Sequence, residues 1–142
     1  MTIKSLVSSA ALMASIALSP TAAFAQDKEP VRETITPAFA QALPNVPGKT
    51  ITAIIVDYPP GAKSIPHRHG QAFVVGYVLQ GQIRSQVNKG ESRVYSAGEH
   101  WIEAPGVHHT VSENVSTSAP AKLLAIFVAD TQDKNLVIWD KK

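Results

Sequence analysis

The alternation of hydrophobic and polar residues predicts β-structure over most of the chain. Residues Gln82–Val87 and Glu91–Ser96 alternate with a period of two, and Asn88-Lys89-Gly90 between them is typical of a hairpin turn. The run Phe73–Gln80 is continuously apolar, and no window of helical length after Lys49 shows a period of 3.6 residues. Further strands are predicted at residues 50–57, 100–103, 108–113, 122–129 and 136–139.

This spacing of short strands predicts the fold class and the extent of the main domain. Many strands repeated at intervals of about eight to twelve residues indicate an all-β sandwich or small barrel, which we place at residues 49–142. Residues 26–48 are polar and contain four prolines, and we interpret them as an N-terminal arm. Within the arm, Thr36 and Pro37 are a typical cap and first-turn pair, so we expect a short helix from there to Ala42.

The first 25 residues have the pattern of a secretory signal peptide. Lys4 is followed by an apolar run from about Leu6 to Leu18, and Ala23 and Ala25 then flank Phe24 as at an A-x-A cleavage site. The apolar run is shorter than the roughly 20 residues that a membrane-spanning helix needs. We therefore expect cleavage near Ala25 and export to the periplasm or the medium, with no membrane anchor on the mature protein.

Composition excludes several classes of function. The 142 residues include 13 Lys and Arg against 11 Asp and Glu, for a net charge of +2, without a basic cluster. Binding to nucleic acid requires such a cluster, so no nucleic-acid partner is expected. The chain has no cysteine, which rules out disulfides, a thiolate metal site and a cysteine nucleophile. A metal site would have to use His, carboxylate or amide ligands.

Two histidine pairs are the strongest candidate for chemistry. His67 and His69 are two residues apart, so on a strand both rings lie on one face and can converge on one ion. His108 and His109 open another predicted strand and must face opposite ways, so only one of them can join the first pair. Alternation by itself does not say which.

The spacing around these histidines resembles the two motifs of the cupins. Gly61, His67, His69 and Gly81 match G-x5-H-x-H-x3,4-E-x6-G at every position except the glutamate. The second motif, G-x5-P-x-G-x2-H-x3-N, is similar to the segment that begins at Gly98 and contains Gly106 and His109. The resemblance covers roughly residues 49–129.

Membership of this family would imply an antiparallel jelly-roll barrel, also called a double-stranded β-helix, with a metal in its mouth. By motif position, the resemblance assigns His67, His69 and His109 as metal ligands and turns His108 away. Imidazole ligands suit several divalent transition metals, so the expected cofactor is Fe, Mn, Zn, Ni or Cu.

Three positions depart from the cupin motifs. Val74 occupies the place of the glutamate ligand, and its neighbour Phe73 cannot bind a metal either. Ala104 stands in the proline slot, and Glu113 stands in the asparagine slot. A fourth protein ligand is therefore missing from its usual position.

Two carboxylates are candidates for a catalytic acid or base. Strand alternation from His109 puts Glu113 on the same face, and Glu103, just before the turn at Ala104, could face the cavity. The chain has no recognisable Ser-His-Asp arrangement and no phosphate-binding glycine loop, so an enzymatic reaction would depend on the metal.

Two classes of function remain open. The first is an enzyme acting on a small organic molecule, as an oxygenase of the dioxygenase type or as a lyase or isomerase. The second is a non-catalytic module that binds a small molecule or a metal. In both cases we expect a small-molecule ligand and a homodimer.

Overall fold

The computed structural model describes residues 29–141, and the predicted signal peptide at residues 1–25 lies outside them. Ten strands are present: β1 (Thr34–Ala42), β2 (Lys49–Tyr58), β3 (His67–Arg68), β4 (Phe73–Gln80), β5 (Gln82–Val87), β6 (Arg93–Ser96), β7 (His100–Glu103), β8 (His108–Asn114), β9 (Ala121–Asp130) and β10 (Ile138–Trp139). Residues 29–141 contain no helix, and hence none that is long and apolar enough to cross a membrane. The all-β prediction is confirmed.

The strands form two five-stranded antiparallel sheets that enclose one core. The first sheet has the order β1-β2-β9-β4-β7, and the second has the order β10-β3-β8-β5-β6. Strand β9 shows how the sequence specifies this arrangement, because every second side chain from Ala121 to Ala129 is buried. The core between the sheets is centred on Val74, Val78, Ile83 and Phe127.

The predicted helix in the N-terminal arm is wrong. Residues 34–42 form β1, which pairs along its length with β2 and lies at the edge of the first sheet. The register shifts between Pro37 and Phe39, so the proline lies at an irregularity of an edge strand. Proline is tolerated there because its missing N–H does not interrupt the hydrogen bonds between the two strands. The backbone groups of β2 offer this segment a partner, and that pairing overrides a weak local helix signal.

One glycine in β4 makes room for a core tryptophan. A Cβ atom at Gly76 would lie 2.5 Å from Cζ2 of Trp101, the residue opposite it on β7. The indole thus lies flat against the backbone of β4, where any other residue would displace it. This contact positions Trp101 for a second role at the functional site.

Candidate metal centre

The structure brings three of the five histidines together in the barrel interior. His67, His69 and His109 are all buried, and their ligand atoms lie within 4.8 Å of one another. Strand β3 is the reason, because it runs antiparallel to β8 with His67 directly opposite His109. The rings of His67 and His69 meet edge to face, with centroids 4.8 Å apart.

The other two histidines lie outside this cluster. His108 turns the opposite way from His109, and its Nε2 lies 2.8 Å from a carboxylate oxygen of Asp140. His100 is exposed on β7. The five histidines thus divide into three that line a cavity and two that face outward.

Backbone carbonyls orient two of the clustered rings. Nδ1 of His67 donates to the carbonyl of Ile65 at 2.7 Å, and Nδ1 of His69 donates to the carbonyl of Leu136 at 2.6 Å. A proton held on Nδ1 leaves the lone pair on Nε2, so both rings present an unprotonated nitrogen. The third ring, that of His109, has Ser85 Oγ 2.9 Å from Nε2.

Burial keeps all three rings neutral. Desolvation lowers the pKa of His69 to about 4 and that of His109 to about 3, and it also lowers the pKa of His67. At neutral pH the cluster therefore holds lone pairs rather than positive charge. A cation binding there need not displace protons from the imidazoles.

Glu103 lies among the histidines, although the family motif has no carboxylate at its position. Its side chain is only 2% exposed, with Oε1 3.1 Å from His109 Nδ1 and Oε2 3.4 Å from His69 Nε2. Nε1 of Trp101 donates to Oε1 at 3.0 Å, while Oε2 is buried without a hydrogen-bond partner. Burial raises the pKa of Glu103 to about 7, against the opposing effect of the Trp101 bond.

The expectation that Glu113 shares the face of His109 is wrong. In the pairing of β8 with β5, Val111 lies opposite Gln86 and His109 opposite Val87, so Thr110 is an extra residue. This bulge reverses the alternation, and Ser112 instead of Glu113 turns inward with His109. Glu113 forms ion pairs with Arg84 at 2.8 Å and Lys63 at 2.9 Å.

The cavity above the histidines is small and is bordered by residues from both ends of the described chain. It has an internal volume of about 40 Å³, room for roughly three water molecules. Its walls include Val74 and Phe127 from the core, Ile35 from β1 and Trp139 from β10. The ring of Trp139 meets that of His67 edge to face, with centroids 4.9 Å apart.

The donor set fits a transition-metal ion. Three imidazole nitrogens with orienting hydrogen bonds, a buried carboxylate oxygen without a partner, and a largely apolar surround are what such an ion requires. Sequence reasoning missed Ser85, Trp139 and the Leu136 carbonyl. Nothing in the local sequence marks them, because their roles arise only from contacts between distant strands.

Comparison with known proteins identifies the fold and its relatives. The family model described as Cupin domain matches residues 54–127. A germin-like protein 1-1 from rice (Oryza sativa subsp. japonica) is 27% identical over 107 residues, which are 72% of this chain and 49% of the relative. This chain spans about half the length of the curated relatives it matches.

Two solved structures share the architecture. A conserved protein with a double-stranded β-helix domain from Klebsiella pneumoniae superimposes with a TM-score of 0.61 at 14% identity, covering 78% of this chain and 86% of the other. An oxalate oxidase in complex with the substrate analogue glycolate gives a TM-score of 0.55 at 22% identity, covering 73% and 57%. At these identities the likeness concerns the fold.

A buried hydroxyl network supports the cavity wall next to the histidines. Oη of Tyr58 lies 2.7 Å from Oγ of Ser112 and 2.8 Å from Oγ of Ser64, and all three residues line the cavity. Burial raises the pKa of Tyr58 to about 12, with the two serine hydrogen bonds acting in the opposite direction. The folded protein thus holds the phenolic proton more tightly than the unfolded chain does.

This shift predicts an alkaline loss of stability that the Tyr58→Phe variant lacks. The pKa of the phenol is about 10 in the unfolded chain and about 12 in the folded protein. Because the unfolded chain loses this proton first, the free energy of unfolding falls as the pH rises from 10 to 12. Between pH 9 and 11 the wild-type protein should lose about 1.4 kcal/mol more unfolding free energy than the variant. Urea unfolding at both pH values measures the difference, and equal losses would contradict it.

Proposed function

This chain belongs to the cupin domain family, and we propose that it binds one divalent transition-metal ion through His67, His69 and His109. The observation that carries the proposal is the buried cluster of imidazole nitrogens within 4.8 Å of one another. Two of these rings already present an unprotonated Nε2, because their Nδ1 protons are donated to backbone carbonyls. Imidazole and carboxylate donors suit Fe, Mn, Zn, Ni or Cu.

The cavity supports a role as an enzyme that acts on a very small organic molecule. A space of about 40 Å³ next to the histidines admits a ligand of few heavy atoms. The oxalate oxidase among the structural neighbours was solved with glycolate, a molecule of that size. When bound, the metal ion would supply a Lewis acid that polarises an oxygen of the substrate.

The residues of this chain would orient the substrate and exclude water. Apolar side chains such as Val74, Phe127 and Trp139 line part of the cavity and lower the local dielectric, which strengthens the electrostatic contact between a substrate and the ion. Of the two carboxylates predicted from the sequence, Glu103 alone is near the ion site, close enough to act as a ligand or to carry a proton. Glu113 forms ion pairs with Arg84 and Lys63 outside the cluster, so we assign it no role at the ion.

A second candidate is a non-catalytic module that holds a metal or a small ligand. The observation in its favour is the position of β10 beside the histidines, with Trp139 against His67, which narrows access to the cavity. A module that only holds its ion needs no channel of substrate size, whereas an enzyme must admit substrate and release product. Oxidase, lyase and isomerase activity on small carboxylic acids, measured on the metal-loaded protein, separates the two candidates.

Metal analysis of histidine variants tests the proposed site. The wild-type protein, purified without an affinity tag and reconstituted, should carry about one equivalent of a transition metal per chain. The double variant His67→Ala/His109→Ala should carry none, because it loses two of the three imidazoles. The matched control is His100→Ala, which removes an exposed histidine outside the cluster and should keep the full equivalent.

Either of two results would contradict the metal site. One is a wild-type protein that stays metal-free after reconstitution with each of the five metals in turn. The other is a double variant that retains as much metal as the His100→Ala control. Circular dichroism of each variant verifies that the barrel has folded.

We also propose that the protein is exported to the periplasm or secreted, with residues 1–25 acting as a signal peptide. A cleavable signal requires small residues three positions and one position before the cut, which Ala23 and Ala25 provide. The intact mass of protein from the periplasm or medium should correspond to a chain that starts at Gln26. Ala25→Arg should block processing, and an unprocessed wild-type chain in the cytoplasm would contradict the proposal.

The outer face of the first sheet supports a homodimer. Phe73 and Tyr77 on β4 and Ile102 on β7 project from this face, and Ile102 is 58% exposed. Adjacent large apolar side chains on a sheet surface are typical of a protein interface. We propose that two copies pair through this face.

Light scattering coupled to size-exclusion chromatography tests the dimer. The wild-type protein should elute as a dimer, and Ile102→Lys should shift it to a monomer, because a buried lysine at the interface has no counter-charge. Val94→Lys, on the other sheet, places the same charge outside the proposed interface and should remain a dimer. A monomeric wild-type protein would overturn this proposal.

A further inference from the structure

We propose that Glu103 is the fourth protein ligand of the metal, so that the carboxylate of the site comes from β7 instead of β4. The inference rests on the proposed binding of a metal by the three histidines, and it assigns a ligand at a position where the family motif has none. Four observations carry it: the strand register, the distances to the histidines, the free oxygen of the carboxylate, and the way its other oxygen is held.

The strand register places Glu103 beside the vacant motif position. Val74, which stands where the cupin motif has its glutamate, pairs directly with Glu103 across the β4–β7 ladder. Opposite residues of an antiparallel pair project from the same face, with Cβ atoms about 4.5–5.5 Å apart. Both side chains are buried in the barrel, so a carboxylate on β7 reaches the space that one on β4 would occupy.

The distances match those of ligands that share one ion. Two donor atoms bound about 2.1 Å from the same metal, at angles from octahedral to tetrahedral, lie about 3.0–3.4 Å apart. Glu103 Oε1 lies 3.1 Å from His109 Nδ1, and Oε2 lies 3.4 Å from His69 Nε2. Each oxygen of the carboxylate is therefore at ligand spacing from one histidine, and Oε2, which Trp101 leaves free, is the one next to His69.

The second oxygen of Glu103 faces another acceptor. Nδ1 of His69 donates its proton to Leu136, so the Nε2 atom that faces Oε2 carries a lone pair. Oε2 has no hydrogen-bond partner among the residues described and is fully buried. Two buried acceptors in contact need either a proton or a cation between them, and a metal ion is a group that would fill this role.

The other oxygen of Glu103, Oε1, is held in place by Trp101 from the core. Nε1 of Trp101 donates to Oε1 at 3.0 Å, and the indole is fixed against the backbone at Gly76. This bond uses one oxygen and aims the other into the cavity. A charge-assisted bond to a rigid donor of this kind is how proteins orient a ligating carboxylate.

Metal affinity measured by isothermal titration tests the assignment. Glu103→Gln keeps the size and the Trp101 contact but removes the charge, and it should weaken binding of the metal found in the wild-type protein by at least about 100-fold. The matched control is Glu113→Gln, which neutralises a carboxylate on the same barrel outside the cluster and should bind as the wild type does. The exchange variant Val74→Glu/Glu103→Val, which returns the carboxylate to β4, should recover most of the lost affinity.

A crystal structure of the metal-loaded wild-type protein gives a reading that does not depend on any variant folding. Anomalous scattering locates the ion, and an oxygen of Glu103 about 2.0–2.2 Å from it would support the assignment. An ion bound to the histidines but more than about 3 Å from both oxygens, or unchanged affinity in a folded Glu103→Gln variant, would overturn it while leaving the three-histidine site intact. Lost catalysis with unchanged affinity would also overturn it and make Glu103 a proton carrier. A wild-type protein that binds no metal would refute the proposed function itself.

Discussion

The extra residue in β8, Thr110, decides which side chains of that strand enter the barrel. The Thr110 hydroxyl donates to the carbonyls of Gln86 and Asn88 at 3.1 and 3.0 Å, which fixes the bulge beside the hairpin of β5 and β6. Beyond it, Ser112 and Asn114 face the interior with His109, and Glu113 faces outward. Without the bulge a charged residue would enter the core where Ser112 now meets Tyr58.

The inward polar residues of β8 are satisfied by partners that come from far along the chain. Asn114 donates to the carbonyls of Tyr58, Pro59 and Ala119, and its own Oδ1 accepts from the backbone of Ser116. The cluster of histidines and Glu103 is different, because one carboxylate oxygen has no partner. Such a group lowers the stability of the metal-free fold, and a bound ion would recover that loss.

The sequence was sufficient to predict most strands after residue 49 and Glu103 as a carboxylate near the cavity, and the resemblance to the cupin motifs predicted the histidine cluster. It was not sufficient to predict how Glu103 is placed or that Glu113 faces away. Periodicity and turn residues specify local structure, so β4, β5 and β9 lie within a residue or so of their predicted bounds. The pairing of Val74 with Glu103 depends on the register between two strands far apart in sequence, which no local pattern encodes. The bulge that turns Glu113 away is likewise a property of a strand pair.

The N-terminal segment shows that a local sequence pattern can also predict the wrong element. A threonine–proline pair followed by alanines has the local pattern of a helix start, and a window of a few residues contains nothing against it. The segment became a strand because β2 exposes an unpaired edge beside it. Local propensity is weak wherever a neighbouring sheet offers a full set of hydrogen bonds.

The hydrogen bond from His69 to Leu136 joins residues 67 positions apart and sets the order in which the site can form. A chain emerging from its N-terminus could assemble both sheets as far as β9 with His67 and His109 already opposite each other. The ring of His69 would still lack the carbonyl that fixes its tautomer, and β10 would not yet cover His67. If a metal binds as proposed, the final geometry of the site therefore requires the segment from Leu136 to β10, because before it is in place the ring of His69 is unoriented and His67 is uncovered.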